Sequence, residues 1–224
     1  MPELRVAALI SDMDGVLIDT GGIYDRRWES WAAEHGISHA RIATLHFGRP
    51  AVETIRLVAP DLDAPAEARR FNDALAHDPS ADGVVAMPGA LDLVRDIPPA
   101  RFAIATSAPR VMALRWLAHV GIPEPAVLVT IDDVPRGKPA PDPYLRAAEL
   151  LGREARQCLV IEDAPAGITA ARTAGARVLA VMSTHGRADL GDADHVVVGL
   201  PDVTVEVDGS GAGALRVSWR PPPG

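Results

Sequence analysis

Two aspartates follow the first apolar run of the chain: residues 6–10 lead into Ser11-Asp12-Met13-Asp14-Gly15. Other apolar runs also end on reactive residues. Residues 102–105 precede Thr106 and Ser107, and residues 158–161 precede Glu162 and Asp163. The loop after the run at 127–129 carries Gly137-Lys138-Pro139. If these runs are strands of an open parallel sheet, their carboxyl ends are where a ligand binds. Several carboxylates, a hydroxyl and a lysine would then meet at one edge. A single Asp or Thr at such a place reads first as a loop-opening cap. Capping does not require two acids at each of two strand ends with a lysine opposite.

Carboxylates gathered this closely repel one another unless a cation neutralises them. A hard divalent ion fits oxygen donors, and Mg²⁺, with few protein ligands and several waters, is the natural choice. A lysine, a hydroxyl and backbone N–H groups suit a phosphate. Together they describe phosphoryl transfer, in which the protein mainly positions groups and offsets charge. No GxxxxGK[ST] loop occurs, so a nucleoside-triphosphate P-loop is not indicated. The nucleophile is then a side chain or water, and a carboxylate can form an acyl phosphate.

The elements that must hold these residues alternate. Val111, Leu114, Leu117 and Ala118 give one helical face, entered at Ser107-Ala108-Pro109 and left at Gly121. Leu145, Ala148 and Leu151 give another, closed by Gly152, and Ile168 and Ala171 a third, closed by Gly175. Helices between short apolar strands mean βαβ units and a parallel sheet. The link from the first strand to the second runs to about 90 residues, whereas a crossover needs about a dozen. It has helical patterns of its own: Ile23, Trp28, Trp31 and Ala32; then Val52, Ile55 and Ala59, opened by Pro50; then Phe71 and Leu75, opened by Asp63-Ala64-Pro65. The expectation is an α/β protein with two parts. Residues 1–19 and 85–224 form a Rossmann-like core, and residues 20–84 form an inserted helical domain. Alternating apolar residues at 203–207 and 215–219, with a turn at 209–213, predict an antiparallel hairpin at 203–219.

Composition sets the surroundings. The chain has 224 residues, with 22 Lys+Arg against 30 Asp+Glu and a net charge of −8. An acidic surface disfavours nucleic acid and anionic membranes, yet leaves room for a locally positive phosphate pocket. One cysteine, Cys158, excludes an internal disulfide, and no CxxC or HExxH occurs. Its place in a buried strand reads as packing. His35 and His39, four apart, read poorly as a metal pair because Gly36 lies between them. Trp28, Trp31 and Phe71 read as core of the insert. No apolar run is long enough for a signal-peptide core or a membrane span, so a cytoplasmic location is expected.

The segments SDMDGVLIDT, IATSAPR, RGKPAPDPY and VIEDAPAGITAARTAG, in that order, resemble the four motifs of the haloacid dehalogenase-like hydrolase superfamily. The resemblance covers about residues 6–198. It implies a Rossmann-like core with a helical cap inserted after the first motif. The cap segment FGRPAVETIRLVAPDL and the late EDAPAGI look most like phosphatases of glycerol phosphate and 2-deoxyglucose phosphate. The β-phosphoglucomutase-like branch is nearby and gives the alternative activity.

By that resemblance Asp12 is the nucleophile and Asp14 the acid and base. Thr106 and Ser107 bind the phosphate, and Lys138 ties nucleophile to phosphate. Mg²⁺ is held by Asp12, the backbone carbonyl of Asp14 and Asp163, with Glu162 assisting directly or through water. Dehalogenases proper lack the second acid and the metal, so Asp14 and the Glu162-Asp163 pair argue against dehalogenation. Arg49 in the cap is a candidate substrate contact, and Asp19-Thr20 a candidate hinge. The related mutases usually carry a histidine where this chain has Tyr24 and an arginine where it has Ala51. The partner expected is therefore a small phosphorylated sugar or polyol.

Overall fold

The computed structural model describes residues 1–43, 45, 51–78, 80–208 and 214–223. The chain divides into two compact units, Met1–Asp19 with Val85–Gly224, and Thr20–Val84. In chain order the elements before the second unit are β1 (Glu3–Val6), β2 (Ala8–Ser11) and β3 (Ile18–Asp19). The second unit holds α1 (Gly21–Glu34), α2 (His39–Ala43), α3 (Ala51–Val58) and α4 (Ala64–His77). The chain then runs through β4 (Val85–Ala86), α5 (Ala90–Asp96), β5 (Phe102–Ala105), α6 (Arg110–His119) and β6 (Val127–Val129). It continues through α7 (Asp142–Leu150), β7 (Cys158–Glu162), α8 (Pro165–Thr173) and β8 (Arg177–Val181). The last strands are β9 (His195–Val197), β10 (Val203–Val207) and β11 (Leu215–Trp219).

A six-stranded sheet in the order β6-β5-β2-β7-β8-β9 organises the larger unit. Every neighbouring pair in it is parallel, as the alternation of apolar runs and helical faces predicts. Strands β2, β5 and β7 are buried along their whole length. That is what a continuous apolar run demands of a strand covered on both faces. Ala147 and Ala148 of α7, and Ile168, Ala170 and Ala171 of α8, join Ile10, Ala103 and Val160 of the sheet in one core. The two helices end before Gly152 and Gly175, at φ 66° and 87°, where an L side chain is strained. From β2 the chain moves outward through β5 and β6, then returns to the other side as β7, β8 and β9. The carboxyl end of β2 is therefore the topological switch point, where a crevice opens.

The first apolar run differs from expectation. It is not one strand but two, broken at Ala7, whose N–H donates to the Gln157 carbonyl at 2.8 Å. The part before the break pairs antiparallel with β11, Leu4 opposite Val217. It forms a three-stranded sheet, β1-β11-β10, with the expected hairpin. Apolar continuity reports burial, not which sheet supplies the hydrogen bonds, so the break left no mark in the sequence. The turn expected at 209–213 and the Pro50 helix start lie outside the described residues.

In the Thr20–Val84 unit, Trp28, Trp31, Ile55, Val58 and Phe71 are core. Trp28 lies 4.2 Å from Phe71 and 5.6 Å, edge to face, from Trp31, centroid to centroid. Glu67 is buried among them; its Oε2 accepts from Trp31 Nε1 at 3.2 Å and lies 3.2 Å from His35 Nε2. His35 is thus engaged by Glu67 and stacked on Trp31. The side chain of Asp63 accepts from the Ala66 N–H at 3.1 Å and caps α4. Thr20 stands at the N-cap of α1 without a side-chain capping bond. Among the described residues no helix is long and apolar enough to cross a membrane.

Candidate active site

The site is built where β2 stops. The Asp12 N–H donates to the Ile161 carbonyl at 2.9 Å, so the residue after β2 is still tied to β7. The chain then coils back tightly. The Met13 carbonyl accepts from the N–H groups of Val16, Leu17 and Ile18, and Gly15 donates to Ile18 at 2.8 Å. This turn keeps Asp12 and Asp14 at one end of the sheet. From β5, Thr106 reaches the same place. Its N–H donates to the Val129 carbonyl at 2.9 Å. Its hydroxyl donates to Asp14 Oδ2 at 3.3 Å and accepts from the Ala108 N–H at 3.0 Å.

Lys138 arrives from the loop between β6 and α7, which is braced on both sides. Asp133 accepts from the N–H and hydroxyl of Thr130 at 2.8 and 2.7 Å and pairs with Arg110 at 3.0 Å. Arg136 forks onto the two oxygens of Asp142 at 3.2 and 3.0 Å. The Lys138–Pro139 peptide is cis. Lys138 Nζ lies 2.7 Å from Asp12 Oδ1 and 2.8 Å from Glu162 Oε1, with the side chain only 7% exposed. It is the only lysine in a chain with 21 arginines. An ammonium is compact enough to donate to two carboxylates inside the turn, where a planar guanidinium is not.

Glu162 is fully buried and its hydrogen bonds are complete. Oε1 accepts from Lys138 and, at 2.6 Å, from the Tyr144 hydroxyl. Oε2 accepts from the N–H groups of Asp163 and Ala164 at 2.8 and 3.0 Å. Asp163 accepts from the Thr184 hydroxyl, and Gly15 leaves room for it: a Cβ there would stand 2.1 Å from Asp163 Oδ2. Tyr144, Thr184 and Gly167, the last lying beneath Glu162, were not legible as site residues. The one available signal was the composition: a single lysine among arginines, followed six residues on by a tyrosine.

The charges are unbalanced. Burial, above all, pushes the Asp12 carboxyl well above its usual range. Lys138 opposes this, while Glu162, Asp163 and Asp14 reinforce it. Burial and the charge of Glu162 lift Asp163 to about 7, against the Thr184 hydrogen bond. For Glu162 burial works upward, but Lys138, Tyr144 and the backbone donors prevail and hold it below the usual carboxylate range. Lys138 is held above its ordinary value: burial opposes that, and the charges of Asp12 and Glu162 outweigh it. Asp12, Glu162 and Asp163 each place an oxygen within 4.8 Å of the others. An all-oxygen donor set with surplus negative charge fits a hard divalent cation.

The structure thus joins Asp12, Lys138, Glu162 and Asp163 in one cluster, and pairs Thr106 with Asp14. Ser107 is exposed on the turn beside Thr106. Arg49 lies outside the described residues.

Residues 6–175 match the family model of the haloacid dehalogenase-like hydrolases. Hexitol phosphatase A of Escherichia coli is 34% identical over 207 residues, spanning 90% of this chain and 95% of that protein. Glycerol-1-phosphate phosphohydrolase 2 of Saccharomyces cerevisiae is 31% identical over 195 residues, spanning 81% and 77%. A solved hydrolase of the same family from Deinococcus radiodurans R1, with bound phosphate and sodium, is 28% identical. It superposes with a TM-score of 0.66 over 88% of this chain and 92% of that one. With the four motifs gathered at the switch point and the match spanning most of the sheet, the chain belongs to the haloacid dehalogenase-like hydrolase family.

Proposed function

We propose that the protein is a Mg²⁺-dependent phosphatase that hydrolyses a small phosphorylated sugar or polyol through an aspartyl phosphate on Asp12. The observation that carries this reading is the pairing of two differently held acids. Asp12 is clamped by Lys138 at 2.7 Å, while Asp14, near enough to raise its pKa, is held by the Thr106 hydroxyl. Two carboxyls in different settings can act as nucleophile and as acid. The relatives named for hexitol phosphate and glycerol phosphate hydrolysis support the substrate class.

In this reading a carboxylate oxygen of Asp12 attacks phosphorus and the P–O bond to the sugar or polyol breaks. Asp14 gives its proton to the leaving oxygen. Asp14, now a carboxylate, takes a proton from water as that water attacks the aspartyl phosphate. Inorganic phosphate leaves and Asp12 is regenerated. Lys138 holds the Asp12 oxygen in place and, with Thr106 and Ser107, donates to the phosphate oxygens. The groups assigned to Mg²⁺ are Asp12, Asp163 and the backbone carbonyl of Asp14. When bound, such an ion offsets the charge of the carboxylates and of the incoming phosphate. Glu162 already accepts four hydrogen bonds, which favours an indirect part for it, holding Lys138.

The test is phosphate release from a panel of phosphorylated sugars, polyols and organic acids with Mg²⁺ present. Turnover confined to sugar and polyol phosphates is the expected result. The mutase alternative is tested with β-glucose 1-phosphate and a trace of glucose 1,6-bisphosphate. Glucose 6-phosphate forming faster than free phosphate would replace the phosphatase reading.

A further inference from the structure

At the opposite end of the same strands lies a second concavity, of about 430 Å³, lined by five arginines: Arg5, Arg101, Arg153, Arg156 and Arg177. Arg101 directly precedes β5, Arg153 and Arg156 precede β7, and Arg177 opens β8. The arginines therefore gather at the amino ends of strands whose carboxyl ends carry Thr106, Glu162 and Asp163. A strand of four or five residues separates the two places, roughly 15 Å at 3.3 Å per residue.

Few local acids neutralise this cluster. Arg5 pairs with Asp208 at 3.3 Å and Arg156 with Glu154 at 2.6 Å. Arg101 donates to the Ala7 carbonyl at 2.8 Å, which fixes its direction and leaves its charge. The side chains of Arg153 and Arg177 make no hydrogen bond or ion pair among the described residues, their backbones being tied to Ala148 and into the β7–β8 ladder. Five guanidinium groups against two paired carboxylates leave a strong local excess of positive charge on a chain whose net charge is −8. Bringing like charges together costs free energy unless an anion offsets them.

We propose that this concavity is a second ligand site, separate from the phosphatase centre, that binds a small anion carrying more than one phosphate group. Guanidinium forks match phosphate oxygens two at a time. The volume lies within the usual range for small-molecule sites, roughly 300–1,000 Å³. The acidic remainder of the chain repels a long polyanion and tolerates a compact one.

The experiment is calorimetric titration of the full chain with inorganic tripolyphosphate in EDTA, at low ionic strength. Saturable one-to-one binding is expected. Arg153→Ala combined with Arg177→Ala weakens it at least tenfold, and Lys138→Ala leaves it unchanged. The double variant keeps its phosphatase turnover, and its melting temperature reports that it is folded. Arg153→Gln and Arg177→Gln singly show the same direction with the stem packing kept. Equal affinity in the double variant, loss of binding in Lys138→Ala, or no saturable binding by the wild type would each overturn the proposal. So would tighter binding of a hexaglutamate peptide or a single-stranded oligonucleotide than of tripolyphosphate.

Discussion

Gly167 lies against the Glu162 carboxylate so closely that a Cβ on it would stand 1.6 Å from Oε1 and 2.0 Å from Cδ. Glycine inside a helix is ordinarily a loss of about 1 kcal/mol relative to alanine. Here the exchange runs the other way. Glu162 is held by Lys138, Tyr144 and two backbone N–H groups, so it cannot swing aside without losing them. Gly167→Ala is expected to cost about 1–3 kcal/mol net, as overpacking does. At roughly 2–4 °C per kcal/mol for a chain of this size, the melting temperature falls by several degrees. Turnover falls with it, because Glu162 positions Lys138. A melting curve with the wild-type midpoint would remove Gly167 from the support of the site.

Asp12→Asn keeps the shape and removes the carboxylate proposed as the nucleophile. Phosphate release should fall by roughly three orders of magnitude or more, since groups acting as one unit lose most of the rate singly. The enzyme should also fail to retain radiolabelled phosphate in an acid quench, where the wild type does. Turnover close to wild type in folded Asp12→Asn protein would rule out the covalent reading.

Lys138→Arg keeps the charge and changes its shape. Nζ donates to Asp12 and Glu162 at 2.7 and 2.8 Å in a nearly closed space, and a guanidinium does not fit both partners. A drop of about a hundredfold in kcat is expected, the usual scale for losing one charge-stabilising donor. Because the charge is kept, arginine at 138 tests geometry. Steady-state kinetics on the best panel substrate decide it.

Metal removal follows from the donor set. Exhaustive EDTA treatment should abolish turnover, and Mg²⁺ should restore it. Ca²⁺ should restore it poorly, because its larger and more flexible shell disturbs in-line geometry. Activity that survives chelation, with metal content measured by mass spectrometry, would show that the Asp12, Glu162 and Asp163 cluster works without an ion.

Cys158 is buried in β7, and burial raises its thiol to about 11. At pH 8 roughly one thiol in a thousand is then a thiolate, the form that reacts. Native protein should therefore react with a disulfide reagent far more slowly than denatured protein. The sign also fixes a stability trend. Above about pH 9 the unfolded thiol loses its proton while the folded one keeps it, so stability falls as pH rises towards 11. Equal native and denatured labelling rates would show that β7 opens readily.

The order of apolar runs and helical faces was enough to read a parallel α/β sheet with a long insert after its first strand. The placement of Asp12, Asp14, Thr106, Lys138, Glu162 and Asp163 after those runs was enough to read phosphoryl chemistry. Both follow from local rules: burial on two faces gives apolar strands, and strand ends carry what binds ligands. The tertiary structure alone decided what each acid does. Glu162 and Asp163 are adjacent, yet one has its oxygens filled by Lys138, Tyr144 and the backbone, while the other faces Gly15 and Thr184. Tyr144, Thr184 and Gly167 joined the site for the same reason. The partners of Tyr144 and Thr184 lie 18 and 21 residues away, and Gly167 meets Glu162 only where the chain turns from β7 into α8; periodicity describes one element at a time. The division of the first apolar run between two sheets, and the meeting of five arginines from separate segments, likewise depend on which strands lie side by side. Hydrophobic pattern fixes that a strand is buried; strand order fixes what its ends touch.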